Sequence, residues 1–384
     1  MSSTRQSFFA TCAPGIESVL HAEVRALRLA KPERQVGGVY FEGGLEAARQ
    51  ANLWLRTAIR VLMRVKRFDC PDEGSLYEEA KSVAWERYLT LDGTFIVDAQ
   101  VKDSALTHSR FLEQRVKDAI VDRFREKSGR RPSVERESAQ LGVHVHLFRD
   151  RCTLSVDTSG RALHRRGWRV HQGRAPLAET FASALVKLSG WDQRAPLIDP
   201  FCGTGTIPIE AALEAASAAP GLGAPGRTGP EGFGFENWPG HDAKAWQREK
   251  DAARASFQPP RKVRILGLDQ DATRITEARE NAEAAGVGDW VEFEVADARD
   301  FAPRRGWNAW IVSNLPYGER IGKAEDLEAL YTRFGDILRS HCDGYRVAVL
   351  CATGALNRRL GLRKPQRYEV LNGGIDCRVL VADA

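Results

Sequence analysis

The chain has 384 residues, of which 43% are hydrophobic and 28% are charged, and its formal net charge is +5. This length is enough for two or three domains with sizeable cores. No apolar run approaches the roughly 18 residues that a membrane helix needs, and no signal-peptide segment precedes Pro14. We therefore expect a soluble, cytoplasmic protein without a membrane partner.

The seven cysteines are scattered along the chain, with no Cys-x-x-Cys pair and no Cys/His cluster at zinc spacing. That distribution is typical of reduced thiols in a protein without a structural metal. We expect no metal site.

Positive charge is concentrated in the front half. Residues 1–174 hold 30 lysines and arginines against 22 acidic residues, whereas the remainder holds 26 against 29. This asymmetry predicts that one part binds a polyanion while the other carries out chemistry. The alternative is an ordinary solvated surface, and charge alone does not distinguish RNA from DNA or from an acidic protein.

Three regions follow one another along the chain, at residues 1–52, 53–160 and 161–384. In the first, short apolar runs surround a helical pattern of apolar residues at 16–27, which predicts a small α+β unit. The third alternates strands and helices in the manner of a doubly wound sheet.

The middle region combines strands with one basic helix. Alternating patterns predict strands at 94–101, 143–148 and 152–157. A basic amphipathic helix is predicted at 110–127, with Phe111 on its apolar side.

Basic residues mark two candidate RNA contacts. Arg130 and Arg131 follow a turn after the basic helix, and Arg165, Arg166 and Arg169 surround an indole at the junction with the third region. Guanidinium groups with an aromatic ring suit phosphate contacts and stacking on an unpaired base. The alternative for the junction is a charged hinge that pairs with acids of the third region.

A glycine turn opens the third region. A short apolar strand ends at Asp199, and the turn that follows leads into helix-forming residues 207–213. Such a turn brings backbone N–H groups beside a ligand. This turn matches neither GxGxxG nor GxxxxGK[ST], so the pattern does not indicate a dinucleotide or a nucleoside triphosphate. The candidate cofactor-binding residues of this turn are Asp199, Phe201, Cys202, Gly203, Thr204, Gly205 and Thr206.

A Pro/Gly-rich insertion at residues 219–240 interrupts the passage to the next strand. Long irregular insertions in compact domains are usually functional or disordered. We expect a mobile flap whose aromatic residues, Trp238 among them, help to enclose the site. Plain surface cover is the alternative.

Two further strands are followed by acids. Asp269 ends one strand and can accept from both ribose hydroxyls of a nucleoside, whereas Asp271 is the better candidate for a helix N-cap. Asp297, followed by Ala298, can accept from an adenine amino group. Three such signals in order predict a nucleoside site.

The sequence Asn314-Leu-Pro-Tyr317 carries the predicted chemistry. An exocyclic amine on a purine is a poor nucleophile, so a catalyst has to hold it aimed at a methyl donor. Asn314 Oδ1 and the Leu315 carbonyl can accept its two protons, Pro316 fixes the bend, and Tyr317 offers a stacking face. With the glycine turn, this predicts methyl transfer from S-adenosylmethionine (SAM) to a planar amine.

These motifs resemble those of the THUMP-domain class I methyltransferases. The shared segments are Asp199-Pro-Phe-Cys-Gly-Thr-Gly-Thr206, Leu163-His-Arg-Arg-Gly-Trp-Arg169, Ala175-Pro-Leu-Ala-Glu-Thr180 and Asn314-Leu-Pro-Tyr-Gly-Glu-Arg320. Within that family the chain is most similar to bacterial enzymes that form N2-methylguanosine in 23S ribosomal RNA (rRNA).

The resemblance implies an α/β Rossmann-like methyltransferase domain preceded by α+β ferredoxin-like and THUMP domains. It implies SAM as cofactor, S-adenosylhomocysteine (SAH) as product, and RNA as partner. It also implies that Ala175, Pro176, Leu177 and Thr180 lie on a helix that closes over the methionine moiety of SAM. Many relatives have a second proline where Leu315 stands, and some ribosomal enzymes carry a further methyltransferase domain, so tRNA stays open as the substrate.

Two other functions remain open on the sequence. Asn-x-Pro-Tyr also occurs in adenine-N6 DNA and glutamine-N5 protein methyltransferases, which do not need a basic front half. An RNA-binding or assembly factor without catalysis is the other alternative, although the intact glycines and Asn314 argue against it.

Overall fold

The structure is a computed structural model that describes residues 5–173, 176–223, 232–259, 263–304, 306–317, 324–352 and 354–384. It contains two sheets, one in the front half and one in the back half, joined by an irregular linker. None of the described helices has both the length and the apolar composition that crossing a membrane requires.

The front sheet has eight strands in the order β2-β3-β1-β4-β8-β7-β5-β6. The strands are β1 (Gln6–Thr11), β2 (Ala30–Gln35), β3 (Gly38–Gly43), β4 (Arg60–Asp69), β5 (Thr94–Lys102), β6 (Ser133–Val134), β7 (Leu141–Phe148) and β8 (Arg151–Asp157). The helices of this half are α1 (Glu17–Ala26), α2 (Leu45–Trp54), α3 (Glu73–Ser82) and α4 (Ser109–Ser128). The sheet is antiparallel except where β5 pairs with β6 and β7.

The back sheet has seven strands in the order β11-β10-β9-β12-β13-β15-β14. The strands are β9 (Leu197–Asp199), β10 (Ile265–Asp269), β11 (Val291–Val295), β12 (Trp310–Asn314), β13 (Arg346–Ala352), β14 (Gln366–Asn372) and β15 (Ile375–Asp383). The helices are α5 (Glu179–Ser189), α6 (Thr206–Ala215), α7 (Ala243–Ala255), α8 (Ala272–Ala284), α9 (Ala324–His341) and α10 (Ala355–Arg359). The first five strands of the order are parallel, and β15 and β14 are antiparallel, which confirms the predicted doubly wound domain.

The two halves share one continuous core of buried side chains. Polar contacts also cross between them: Arg49 of α2 forms a bidentate pair with Glu249 of α7, at 2.8 and 2.8 Å, and Leu371 N donates to Pro14 O. The predicted boundary at residue 52 falls inside α2, and the first two regions contribute to one sheet. The division at residues 52 and 160 therefore stays a prediction.

Two predictions about the packing of aromatic residues were wrong. Phe111 is 37% exposed and does not lie on the apolar side of α4. Leu112 lies four residues before buried Val116, so Leu112 rather than Phe111 shares its helix face.

The aromatic residues after the Pro/Gly-rich segment do not form a flap over the site. Phe235 and Trp246 are almost fully buried, with ring centroids 5.1 Å apart, and Phe235 N donates to Thr158 O of the front half. Trp238 is 7% exposed and packs edge-on against Tyr88, at 5.1 Å. Apolar burial between the two halves therefore accounts for these rings. Residues 224–231 of the insertion lie outside the described residues.

Candidate active site

Polar side chains line the carboxyl edge of the back sheet. Because β11, β10, β9 and β12 are parallel neighbours, the ends of these strands bring Asp297, Asp269, Asp199 and Asn314 to the same edge. The sequence order of these residues differs from their spatial order, which the sheet topology alone determines.

The glycine turn between β9 and α6 is open on one side and tightly packed on the other. Gly203 has φ +53°, and a Cβ added there would meet nothing within 4 Å. Gly205 has φ +83°, and a Cβ there would lie 2.9 Å from Phe293 Cζ. Cys202 is buried, and its N–H donates to Leu268 O at 2.8 Å, which holds the turn against β10. The open space at Gly203 fits a ligand that approaches the backbone closely.

The first turn of α6 follows directly. Thr204 and Thr206 are buried, and Gly205 at the N-cap provides no side-chain hydrogen bond to the helix. The orphan N–H groups of such a helix start favour a negatively charged ligand group.

Asp271 has the capping role that its position predicts, whereas the ribose contact predicted for Asp269 stays a prediction. Asp271 caps α8 by accepting from Thr273 N at 2.9 Å. Asp269 is half-buried and accepts from Gly203 N at 3.1 Å and from Asp271 N at 2.9 Å. Burial raises the pKa of Asp269, although these hydrogen bonds act in the opposite direction. Its carboxylate therefore lies against the open glycine and retains further acceptor capacity.

Asp297 lies two residues beyond the end of β11 and caps the short helical turn at residues 298–300. Its carboxylate receives two Arg299 Nε contacts, at 3.0 and 2.9 Å, and the Arg299 hydrogen bonds lower the pKa of Asp297. Ala298 is buried. Arg299 occupies part of the acceptor capacity of this carboxylate. The contact with an adenine amino group stays a prediction.

Asp199 does not face the open edge. It is 1% exposed and accepts from Ser313 Oγ at 2.5 Å and from Phe201 N at 3.1 Å. Burial raises the pKa of Asp199 to about 7. The prediction of direct cofactor contact therefore needs correction: this carboxylate connects the glycine turn to the residue before Asn314.

The loop after β12 presents one unsatisfied acceptor. Asn314 Oδ1 is buried and has no hydrogen-bond partner within the part of the chain that the structure describes. Leu315 is buried, and its N–H donates to Leu350 O at 2.9 Å. Pro316 O accepts from Tyr331 at 3.0 Å, and Tyr317 OH accepts from Asn372 Nδ2 at 2.7 Å. Three anchors thus hold the loop while a buried amide oxygen stays unpaired. Gly318, Glu319 and Arg320 of the motif lie outside the described residues.

Two of the junction arginines, Arg166 and Arg169, are held by hydrogen bonds within the protein. Arg166 is 3% exposed, donates to Leu163 O and Arg56 O at 2.5 and 2.6 Å, and lies 3.6 Å from Glu210. Arg169 donates to Glu179 and to Leu177 O, each at 2.9 Å. Both therefore fit the charged-hinge alternative, because most of their donors bond within the protein, although Arg166 Nε and Arg169 Nη1 have no hydrogen-bond partner among the described residues. The RNA contact predicted for them stays a prediction.

The other predicted RNA contacts are exposed. Arg165 and Arg131 lie on the surface, and Arg130 does so beside Asp92, with which it pairs. All three arginines are therefore accessible to RNA, and the contact itself stays a prediction.

The segment that resembles the methionine-covering helix begins before α5. Pro176 is exposed, Leu177 is buried, and Thr180 is buried in the first turn of α5. Ala175 lies outside the described residues. These positions stay predictions for cofactor binding.

Sequence reasoning missed two buried polar residues that organise the site. Asn281 of α8 accepts from Val170 N and His171 N, at 2.8 and 2.9 Å, and donates to Thr204 O at 3.1 Å. It therefore joins the linker to the glycine turn. Glu210 of α6 is fully buried and accepts from Ser183 at 2.8 Å and Trp168 at 3.3 Å. Each is a polar residue among the buried, mostly apolar residues of its helix. A polar residue at such a position indicates a buried hydrogen-bonding role, and that pattern could have identified both residues from the sequence.

The order of the back sheet and the glycine turn after β9 define a class I methyltransferase domain, and ferredoxin-like and THUMP domains precede it. Family descriptions match in that order: "RlmL ferredoxin-like domain" at 7–62, "THUMP domain" at 70–157 and "RMKL-like, methyltransferase domain" at 166–380. Because the last match covers more than half of the chain, the chain belongs to the RMKL-like methyltransferase family.

Two of the curated relatives that the chain matches share one name. The chain is 40% identical to ribosomal RNA large subunit methyltransferase K/L of Syntrophotalea carbinolica, over 98% of this chain and 53% of the relative. It is 39% identical to the protein of that name from Pseudomonas aeruginosa, over 97% and 52%. The chain thus spans about half the length of the curated relatives it matches.

Solved structures share the whole architecture. SMU.472, crystallised in complex with SAH, has a TM-score of 0.88 and 28% identity, covering 100% of this chain and 99% of the other. A structure described as a predicted N6-adenine-specific DNA methylase from Listeria monocytogenes has a TM-score of 0.85 and 34% identity, covering 99% and 96%.

Proposed function

We propose that this chain transfers a methyl group from SAM to the exocyclic N2 amine of a guanosine in structured RNA, with 23S rRNA as the substrate and tRNA as the alternative. The observation that carries the proposal is the buried Oδ1 of Asn314, which has no hydrogen-bond partner among the described residues. Asn314 ends the strand next to the one that leads into the glycine turn. A buried acceptor without a partner costs about 1–3 kcal/mol, and an amine N–H would satisfy it.

The residues of the glycine turn fit SAM. The space at Gly203 allows close approach of the ligand to the backbone, and Asp269 beside it can accept from ribose hydroxyls. The uncapped start of α6 suits the carboxylate of the methionine moiety. When bound, SAM supplies an electrophilic methyl group on a sulfonium.

The loop after β12 would orient the amine. Asn314 Oδ1 and the Leu315 carbonyl accept its two protons, which directs the nitrogen lone pair toward the methyl group. The anchor from Leu350 O to Leu315 N keeps these acceptors in place. Tyr317, anchored by Asn372, would stack on the base. Water can take the proton that the methylated amine loses, so no strong base is required.

RNA is the partner that the rest of the molecule favours. A THUMP domain precedes the catalytic domain, the front half is basic, and the curated relatives are named as rRNA methyltransferases. In this proposal residues 1–52 and 53–160 hold RNA, residues 161–384 carry out the reaction, and the location is cytoplasmic. Within the described residues, no group of three or more His, Cys, Asp or Glu side chains is placed to hold a metal ion.

Nucleoside analysis tests the proposal. The protein is incubated with isotopically labelled SAM and, separately, with unmodified rRNA, tRNA, DNA and protein, and the digested products are separated by mass spectrometry. We expect label in N2-methylguanosine from rRNA. Label in N6-methyladenosine would support the adenine alternative suggested by the Listeria relative's description and would overturn the guanosine assignment.

A further inference from the structure

The front sheet has one buried face and one face that is largely uncovered. On the buried face, cross-strand neighbours such as Phe8, Met63, Val156 and Val143 form a continuous apolar row. The alternate residues point to the opposite side, where most side chains are half-buried or exposed. We call this side the open face, centred on Phe9, Tyr40, Arg64, Arg67 and His146.

Aromatic rings and a guanidinium group lie together on the open face. Phe9 stands opposite Tyr40 on the neighbouring strand. The Arg64 guanidinium lies 5.2 Å from the Phe9 ring centroid and 5.1 Å from that of Tyr40. Both rings and the guanidinium plane are surfaces on which a nucleobase can stack.

No described ion pair neutralises the two arginines at this place, although the charge of Glu33 lies close enough to act on the pKa of Arg64. Within the described part of the chain, no carboxylate oxygen lies within the 4.0 Å of an ion pair from Arg64 or Arg67. Burial, then the charges of Arg64 and Arg67, lower the pKa of His146, so these side chains are close enough to repel one another. Glu42, at the rim, is paired with Arg5 and Lys31 and also accepts from the Tyr40 hydroxyl at 2.8 Å.

A ligand that carries both negative charge and planar groups would match the positive charge and the aromatic rings of the open face. Phosphates would reduce the repulsion between the two arginines, and unpaired bases would cover the rings. A double helix offers phosphates but keeps its base faces stacked inside. Single-stranded RNA therefore matches the open face better than duplex RNA or an acidic protein does.

We propose that the open face binds an unpaired segment of the RNA substrate, separately from the target nucleotide at the active site. The proposal rests on RNA being the substrate, as proposed above. It assigns stacking to Phe9 and Tyr40 and phosphate contacts to Arg64 and Arg67.

Binding of a labelled single-stranded oligouridylate to the full-length chain tests this assignment. We expect R64Q/R67Q to weaken binding about tenfold or more and to lower the salt dependence by about 0.7 per lost phosphate contact. Tyr40→Ala should weaken binding about tenfold through lost stacking, whereas Tyr40→Phe, which keeps the ring, should restore it. Duplex RNA of the same length should bind less tightly to the wild type.

The matched control is R25Q/R28Q, which removes the same charge from exposed positions in and just after α1. Unchanged oligouridylate binding by R64Q/R67Q, or an equal loss in the control, would overturn the proposal. SAM affinity by calorimetry and the thermal unfolding temperature are measured for each variant. If both match the wild type, the variant is folded and a loss of oligouridylate binding reflects the substituted surface. Failure of the wild type to methylate any RNA would instead count against the proposed function, because oligouridylate binding is measured without catalysis.

Discussion

Asn314 is the residue on which the proposed reaction depends most directly. Its buried amide oxygen has no hydrogen-bond partner among the described residues, so Asn314→Ala removes an acceptor that makes no described hydrogen bond within the protein. We expect turnover to fall about 10²-fold or more through lost alignment of the amine. SAM affinity, measured by calorimetry, should stay nearly constant, and a parallel loss of SAM affinity would place the side chain in the cofactor site.

Asp269 and Asp271 provide a matched pair of carboxylates two residues apart. Asp269→Ala should weaken SAM binding by about 1–3 kcal/mol, because it removes charge-assisted hydrogen bonds to the ligand. Asp271→Ala removes the N-cap of α8 and should lower stability by about 1 kcal/mol while leaving SAM affinity unchanged. Calorimetry and denaturant unfolding of both variants would measure this, and the reverse pattern would move the ribose role to Asp271.

The buried carboxyl of Asp199 predicts a pH dependence of stability. Its pKa is raised from 3.8 to about 7 on folding, so between these values the folded state binds the proton more tightly. The contribution of this group to stability therefore falls as pH rises through that window, by at most ~1.4 kcal/mol per pH unit. Asp199→Asn keeps the acceptor for Ser313 and removes the titration. Unfolding free energies from pH 4 to 8 should diverge in favour of the variant, and parallel curves would refute the assignment.

At the scale of elements, the described aromatic residues at the end of the insertion pack between the two halves rather than over the active site. Trp238→Ala should therefore destabilise the protein by about 3–5 kcal/mol, because it empties a buried aromatic position against Tyr88. SAM affinity should not change. The same substitution at half-buried Trp290 is the control and should cost less. A selective loss of SAM affinity in Trp238→Ala would restore the flap hypothesis.

At the scale of the whole molecule, the linker belongs structurally to the catalytic domain. A fragment that starts at residue 174 loses Arg166 and Trp168, which leaves Glu210 buried without these partners. Breaking a buried ion pair costs about 3–5 kcal/mol, so this fragment should unfold roughly 10 °C below one that starts at residue 161. Glu210→Gln should recover part of the difference. We expect the 161–384 fragment to bind SAM and to lose RNA affinity, and equal RNA binding would contradict the proposed division of labour.

Local patterns predicted the elements well where each element carries its own signal. The helix predicted at 16–27 is α1 (Glu17–Ala26), and the strand predicted at 152–157 is β8 (Arg151–Asp157). The capping role of Asp271 was also predictable, because a cap depends only on residues of the next turn. Such signals follow from periodicity and from backbone geometry, which neighbours in sequence determine.

The sequence by itself determined the class of fold and the three domain types, through motifs shared with a known family, and it identified the glycine turn and the Asn314 segment, since each of these motifs is local. Only the tertiary structure decided what each charged or aromatic side chain contacts. Arg165 and Arg166 are adjacent in sequence, yet one is exposed and the other is buried near Glu210. Asp199 and Asp269 both end strands, yet only the first is enclosed by Ser313. Burial and hydrogen bonding depend on groups far away in sequence, such as Ser313 for Asp199, and no local pattern encodes their position.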